Sequence, residues 1–189
     1  VAAMLEDLPA GAIARLDIWT GDFVAEGARV LTMWSEEPIP DDIHVEIAIG
    51  ETRTVEQDPG LGIRQLTDIA LRALSPGIND PATAADVVRH VLVGLRSAYK
   101  AKTRVRSFVA DNGARLLTPK APTTADYVSD SLGQIRYAAN DQPVVLRAMV
   151  EAVDALTDEL DPEGCDCSAL VRESQAAAKR LEELLGSTI

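Results

Sequence analysis

Hydrophobic and polar positions change period twice along this chain. Residues 12–19, Ala-Ile-Ala-Arg-Leu-Asp-Ile-Trp, alternate as a half-buried strand does, and Thr20-Gly21-Asp22 then supplies turn chemistry. Phe23-Val24 and Arg29 to Trp34 read as further strands of a small twisted β-module, separated by Glu26-Gly27. An irregular stretch from Ser35 to Asp42 follows, and residues 43–49 are apolar enough for a short helix or strand, a helix being the preferred reading. From Asp58 the period becomes helical. Asp58-Pro59 opens a helix to about Leu74, because an acidic N-cap accepts an orphaned N–H and a first-turn proline has none to orphan. Asp80-Pro81 repeats the device for a helix to about Tyr99 that carries Val87, Val91, Leu92 and Leu95 on one face.

The period returns to strand over 104–118, where Asp111-Asn112-Gly113 separates Val105, Phe108 and Val109 from Leu116 and Leu117; Asn-Gly meets the positive φ of a tight hairpin. Three more helices are predicted. The first is capped by Thr123 or Thr124, with Val128, Leu132, Ile135 and Ala139 inward. The second is introduced by Asp141 and Pro143, with Leu146, Met149, Val150, Val153, Leu156 and Leu160 inward. The third runs from about Ser168 to Leu185 on Leu170, Ala177, Leu181 and Leu184. The expected class is α+β: a β-module over 1–57, then a mainly helical domain over 58–189 with a β-hairpin inserted near 104–118.

Composition sharpens this picture at a few points. Hydrophobic residues are 47% of the 189, enough for a core, but aromatics are only 4%, so the core is expected to be aliphatic and helix on helix. The net charge of −12 argues against a nucleic-acid partner or an anionic-membrane surface, which would need clustered Lys and Arg. No run of 18 apolar residues occurs, and Glu6, Asp7 and Pro9 interrupt the apolar N-terminus, so neither a membrane span nor a signal peptide is expected. Cys165 and Cys167 form an isolated C-x-C, too few ligands for a zinc site, with His44 and His90 distant in sequence.

Candidate chemistry gathers between the first two long helices. Arg64, Asp68 and Arg72 recur every four residues and share one helix face. They read either as a solvated salt-bridge ladder or as a polar face able to hold an anion or a partner subunit. Ser75-Pro76-Gly77-Ile78-Asn79-Asp80 reads either as a helix corner plus cap or as a ligand-contacting loop, in which Gly77 supplies the unusual backbone and Ser75, Asn79 and Asp80 offer oxygens. Enzyme signatures are missing. Gly60-Leu61-Gly62 lacks the third glycine of a dinucleotide fingerprint, no Walker A loop or G-x-S-x-G occurs, and His90 reads as a surface histidine. No catalytic residue, metal ligand set or cofactor is assigned.

The wording Asp68-Ile69-Ala70-Leu71-Arg72-Ala73-Leu74-Ser75-Pro76-Gly77-Ile78-Asn79-Asp80-Pro81 resembles the core signature of a bacterial predicted membrane protein family, domain of unknown function twenty-two fifty-four. Arg53 to Pro59 with Gly62 to Leu66 is similar to its lead-in, Gly21 to Val24 with Gly27 to its β-turn segment, and Leu132 to Arg136 to its helical half. The likeness covers roughly residues 12 to 160, and Ala82 stands where Phe is common. Gly21 to Val24 is also similar to half of a lipoyl-type module, without a hairpin Lys to carry lipoate or biotin. The family resemblance implies membrane helices ahead of this region, and so a soluble portion, membrane-associated through spans outside this chain and placed on the cytoplasmic side. It implies a non-catalytic role in ligand sensing, signal coupling or subunit organisation, with a homo-oligomer in the full-length form. The alternative is a membrane-tethered enzyme using Arg64, Asp68, Arg72, Asn79 and Asp80.

Overall fold

The computed structural model describes residues 2–43, 47, 50, 58–101, 107–119 and 121–186. It is α+β and divides into two units: residues 1–57 with 102–121, and residues 58–101 with 122–189. The helix expected over 43–49 lies outside the described residues apart from 43 and 47.

The first unit is a four-stranded sheet in the order β2-β1-β4-β3. β1 (Ile13–Leu16) pairs antiparallel with β2 (Leu31–Trp34) and parallel with β4 (Arg115–Leu117), and β3 (Ser107–Val109) pairs antiparallel with β4. The hairpin that lies between helices in sequence is therefore, in space, the other half of the N-terminal sheet. A short helix α1 (Ala2–Glu6), which the sequence pattern had not signalled, supplies the cover: Met4, Leu5 and Leu8 pack with Ala12, Ala14, Ala114 and Leu116. The small residues at 12, 14 and 114 let the helix approach. Asn112 locks it, its amide donating to the carbonyls of Leu5 (3.2 Å) and Leu8 (2.9 Å) while its oxygen accepts from Ala114 N–H (2.9 Å). Phe23-Val24 is not a strand; Phe23 sits in a loop with 93% of its surface exposed, and among the described residues no strand pairs with it.

The second unit is helical. α2 (Pro59–Ala73) starts at Asp58, whose carboxylate accepts from Gly60 N–H at 3.1 Å, and α3 (Pro81–Lys100) starts at Asp80. The predicted face of α3 is buried, and Ala84, Ala85 and Val88 join it. Thr123 is the next cap, in a reciprocal capping box with Asp126. The helix it opens is interrupted: α4 (Thr124–Val128) passes through a π-turn at Ser129–Gly133 into α5 (Gln134–Ala138). Val128, Leu132, Ile135 and Ala139 are all buried nonetheless, and Ser131 inside the π-turn donates to the carbonyl of Tyr127 at 2.6 Å. α6 (Pro143–Leu160) buries Leu146, Met149, Val153, Leu156 and Leu160 as expected, but Val150 is half-buried. Its N-cap position is Gln142 rather than Asp141, and no side chain accepts there. After a 3₁₀ turn at Asp161–Glu163, α7 (Ser168–Gly186) follows with Leu170 and Ala177 buried and Leu181 and Leu184 partly so. The core is aliphatic, helix on helix, with α3 against both α2 and α6 and α6 against α7.

An exposed ion-pair cluster ties α3 to α6. Glu159 accepts from Arg96 (2.6 Å) and Lys100 (2.7 Å), and Lys100 also reaches Glu163 at 3.0 Å. The Arg96 hydrogen bond, then that from Lys100, lowers the Glu159 carboxyl from 4.5 to about 2. A depressed carboxylate pKa stabilises the fold above the unfolded value and loses that contribution as pH falls through the folded one. Glu159→Gln is therefore expected to flatten the stability profile between pH 4.5 and about 2 at low ionic strength, as read by acid titration of the circular dichroism signal. An unchanged profile would show that solvent already screens the cluster.

Candidate functional site

The corner between α2 and α3 is closed by hydrogen bonds that satisfy the carbonyls α2 would otherwise leave unpaired. The Ser75 hydroxyl donates to Arg72 O at 2.7 Å, Ile78 and Asn79 N–H both reach Ser75 O, and Asp80 N–H reaches Ala73 O at 2.7 Å. The unusual backbone belongs to Asn79 rather than Gly77: Asn79 has φ 49, and Gly77 has no positive φ. Asparagine tolerates this left-handed conformation better than most residues with a Cβ. Asp80 is occupied as a cap, one oxygen accepting from Thr83 N–H (3.0 Å) and the other from the Thr83 hydroxyl (2.6 Å). Those bonds, the hydroxyl first, hold its carboxyl below the ordinary range.

Across from this corner lies the turn between α5 and α6. Gln142 Nε2 donates to Asn79 Oδ1 at 3.4 Å, and an open groove of about 580 Å³ runs between the two turns. Leu71, Leu74, Ser75, Pro76 and Asn79 line one side; Ala138, Asp141 and Gln142 line the other. Of the six residues singled out from the sequence, the groove gathers Ser75 and Asn79. Arg64, Asp68 and Arg72 lie exposed on the outer face of α2, and among the described residues no ion pair joins them. Asp80 stands behind the corner in its cap. The groove therefore carries a carboxylate from Asp141 and amides from Asn79 and Gln142, with no guanidinium among its lining residues.

Asp141 and Gln142 were not among the candidates. Their only signal was the Asp-x-Pro opening of α6, and nothing in the spacing placed that opening beside a turn some sixty residues earlier. The other polar feature inside the helical unit is equally nonlocal: Arg136 Nε donates to Glu173 Oε2 at 2.8 Å, and Ser174 donates to Asp154 at 2.9 Å.

The remaining chemical candidates are dispersed. His90 is exposed with Nδ1 2.8 Å from Asp86 O, and His44 falls outside the described residues. Cys165 is half-buried and Cys167 buried; both are free thiols. Burial, then the neighbouring Cys165, Asp161 and Asp166, pushes the Cys167 thiol up and away from thiolate character. Among the described residues no three His, Cys, Asp or Glu side chains are placed to hold a metal.

The described residues thus form an α+β protein of a sheet unit and a helical unit, the helical unit carrying an open groove of mixed polar and apolar lining between its α2–α3 and α5–α6 turns. Its sequence matches the model of a family described as predicted membrane protein (DUF2254) over residues 8–155, and the chain belongs to that family. It is similar to proteins described as uncharacterized from Mycobacterium bovis and from Mycobacterium tuberculosis, each 33% identical over 159 residues, covering 79% of this chain and 30% of the relative. The chain thus spans under a third of the length of these curated relatives. No solved structure matches it. No helix among the described residues is long and apolar enough to cross a membrane.

Proposed function

We propose that this chain is a non-catalytic, extramembrane domain of a longer membrane protein, on the cytoplasmic side, and that its helical unit organises subunits through the groove between the α2–α3 and α5–α6 turns. The observation that carries this reading is the mixed lining of the groove, Leu71, Leu74, Pro76 and Ala138 beside Ser75, Asn79, Asp141 and Gln142, with large apolar side chains left exposed close by in sequence. Ile78 and Tyr137 stand next to lining residues in sequence and Val144 two positions after Gln142; all three are exposed, Tyr137 at 82% of its surface. Exposed aromatic and aliphatic side chains near a depression of mixed lining offer an interface apolar area to bury and polar groups to set its register. The dispersal of Arg64, Asp68, Arg72, Asn79 and Asp80 speaks against the tethered-enzyme alternative, because a reacting group needs its partners within hydrogen-bond reach. Spans elsewhere in a longer protein would hold copies at high local concentration, so a modest contact suffices.

Mass measurement of the detergent-solubilised full-length protein tests this. The expected result is a homo-oligomer that Tyr137→Glu with Val144→Glu shifts toward monomer, with the circular dichroism of the isolated chain unchanged. A monomer at every accessible concentration, or an oligomer indifferent to the double substitution, overturns the role assigned to this surface.

A further inference from the structure

The sheet unit has a second face that its own core does not use. α1 covers the side presented by Ala12, Ala14, Ala114 and Leu116. On the other side, strand register places two rows of side chains across all four strands. Trp34, Ile13, Arg115 and Val109 form the first row, and Thr32, Arg15, Leu117 and Ser107 the second. Four of these eight are large apolar residues left between 37% and 62% exposed. Two are arginines, two are neutral hydroxyl residues, and none is acidic, although the chain has 30 acidic residues against 18 basic. The overall charge that argued against an anionic surface is therefore inverted locally. The nearest acid on β1's continuation, Asp17, is engaged by Arg15 (2.6 Å), by Arg29 (3.5 Å) and by the Thr32 hydroxyl. Asp17 is thus shared by two guanidinium groups, and Arg115 adds a third among the unit's described residues, in the row of Ile13. Arg15 also lies over the Trp34 ring, 5.2 Å from its centre.

We propose that this face docks on the headgroup layer of an anionic phospholipid bilayer. Tryptophan favours the boundary between water and acyl chains, where its ring is half-solvated and its N–H can find a partner. Arginine forks match phosphate oxygens while their stems lie along apolar surface, so Arg15 and Arg115 serve the phosphates as Ile13, Val109 and Leu117 reach the layer beneath. Size decides between a bilayer and a second protein. Two rows of four strands span on the order of 15 by 7 Å, a small fraction of the roughly 800 Å² per partner that a stable protein interface buries. A bilayer needs no such area from a domain whose parent protein already sits in it. This proposal rests on the family's membrane character and the sheet face, independently of the groove.

The test uses the chain carrying Trp19→Phe, which leaves Trp34 as its sole tryptophan, mixed with vesicles of phosphatidylcholine and phosphatidylglycerol with brominated acyl chains. The expected result is quenching of Trp34 fluorescence that is absent with unbrominated lipid, weakens with salt, and persists in Phe23→Ser. Arg15→Glu with Arg115→Glu should lower the vesicle-bound fraction at least roughly tenfold, given the contribution of each basic residue near an anionic surface. If that pair disturbs folding by circular dichroism, Val109→Asp on the edge strand replaces it, with loss of binding again expected. Absence of quenching on any vesicle overturns the proposal, as does quenching abolished by Phe23→Ser alone. Trp34 protection that tracks protein concentration without lipid also overturns it, in favour of a second copy as the occupant.

Discussion

Replacing Arg136 with Met should destabilise the helical unit by about 3 kcal/mol, the lower end of the range for breaking a buried ion pair. The cost comes less from the lost attraction than from what remains. The Glu173 side chain is only 12% exposed, and without Arg136 Nε at 2.8 Å its charge is left among α4, α5 and α7 with too little water to solvate it. Arg136 itself is 32% exposed, which places the effect at the low end. Adding Glu173→Leu to the same chain should recover most of the loss, since removing both charges removes the desolvation penalty as well. Urea denaturation of the wild type, both single variants and the double variant forms the cycle. A single-variant loss within about 0.5 kcal/mol would show that water reaches Glu173 and that the pair behaves as a surface bridge.

Leu132→Ala should cost a comparable amount, about 2–5 kcal/mol, while Leu132→Met should stay below about 1.5 kcal/mol. Leu132 lies in the π-turn and is fully buried. The side chain is held within a closely packed aliphatic core, so a truncated residue leaves a cavity that its neighbours fill only in part. Equal losses for Ala and Met would indicate that the site is sensitive to shape rather than to volume. Thermal and chemical unfolding of the two variants read the difference.

Elements governed by local chemistry were legible in the sequence. Asp58 and Asp80 are caps, Thr123 opens a helix, and Val128, Leu132, Ile135 and Ala139 point inward; Asn112-Gly113 turns a hairpin, though Gly113 alone, and not Asn112, takes the positive φ expected of the pair. What escaped was nonlocal or noncovalently compensated. α1 is short and bears Glu6 and Asp7 after a single apolar turn, so its stability comes from the sheet beneath and from Asn112 rather than from any periodicity. The π-turn leaves the inward spacing of 4, 3 and 4 residues unchanged, which is why the pattern reads as one plain helix. Phe23-Val24 has strand-like residues without a strand to pair with, a reminder that β propensity describes fit to a neighbour. At the candidate site, the sequence located the α2–α3 corner and its cap. The partner turn at Asp141-Gln142 could not be found without the packing, and helical row logic grouped Arg64, Asp68 and Arg72 correctly on one face without revealing that the face turns away from the groove.

The pairing of Ile13 with Arg115 has a consequence for the order in which the molecule is made. The sheet cannot close until the ribosome has released β4, by which point all of α2 and α3 has already been synthesised. At about 5–20 residues per second, β1 and β2 wait on the order of 5–20 s as an unfinished ribbon whose β1 edge still lacks its partner. During that interval the α2–α3 hairpin, whose contacts are close in sequence, can form on a far shorter timescale. Synthesis therefore runs inside out, the inserted helical pair condensing first and the N-terminal strands last among the residues that precede it. A nascent chain halted before Arg115 would present the β1 edge as a template for any other strand, making the ribosome-bound intermediate, rather than the finished protein, the form most exposed to chaperone capture and aggregation.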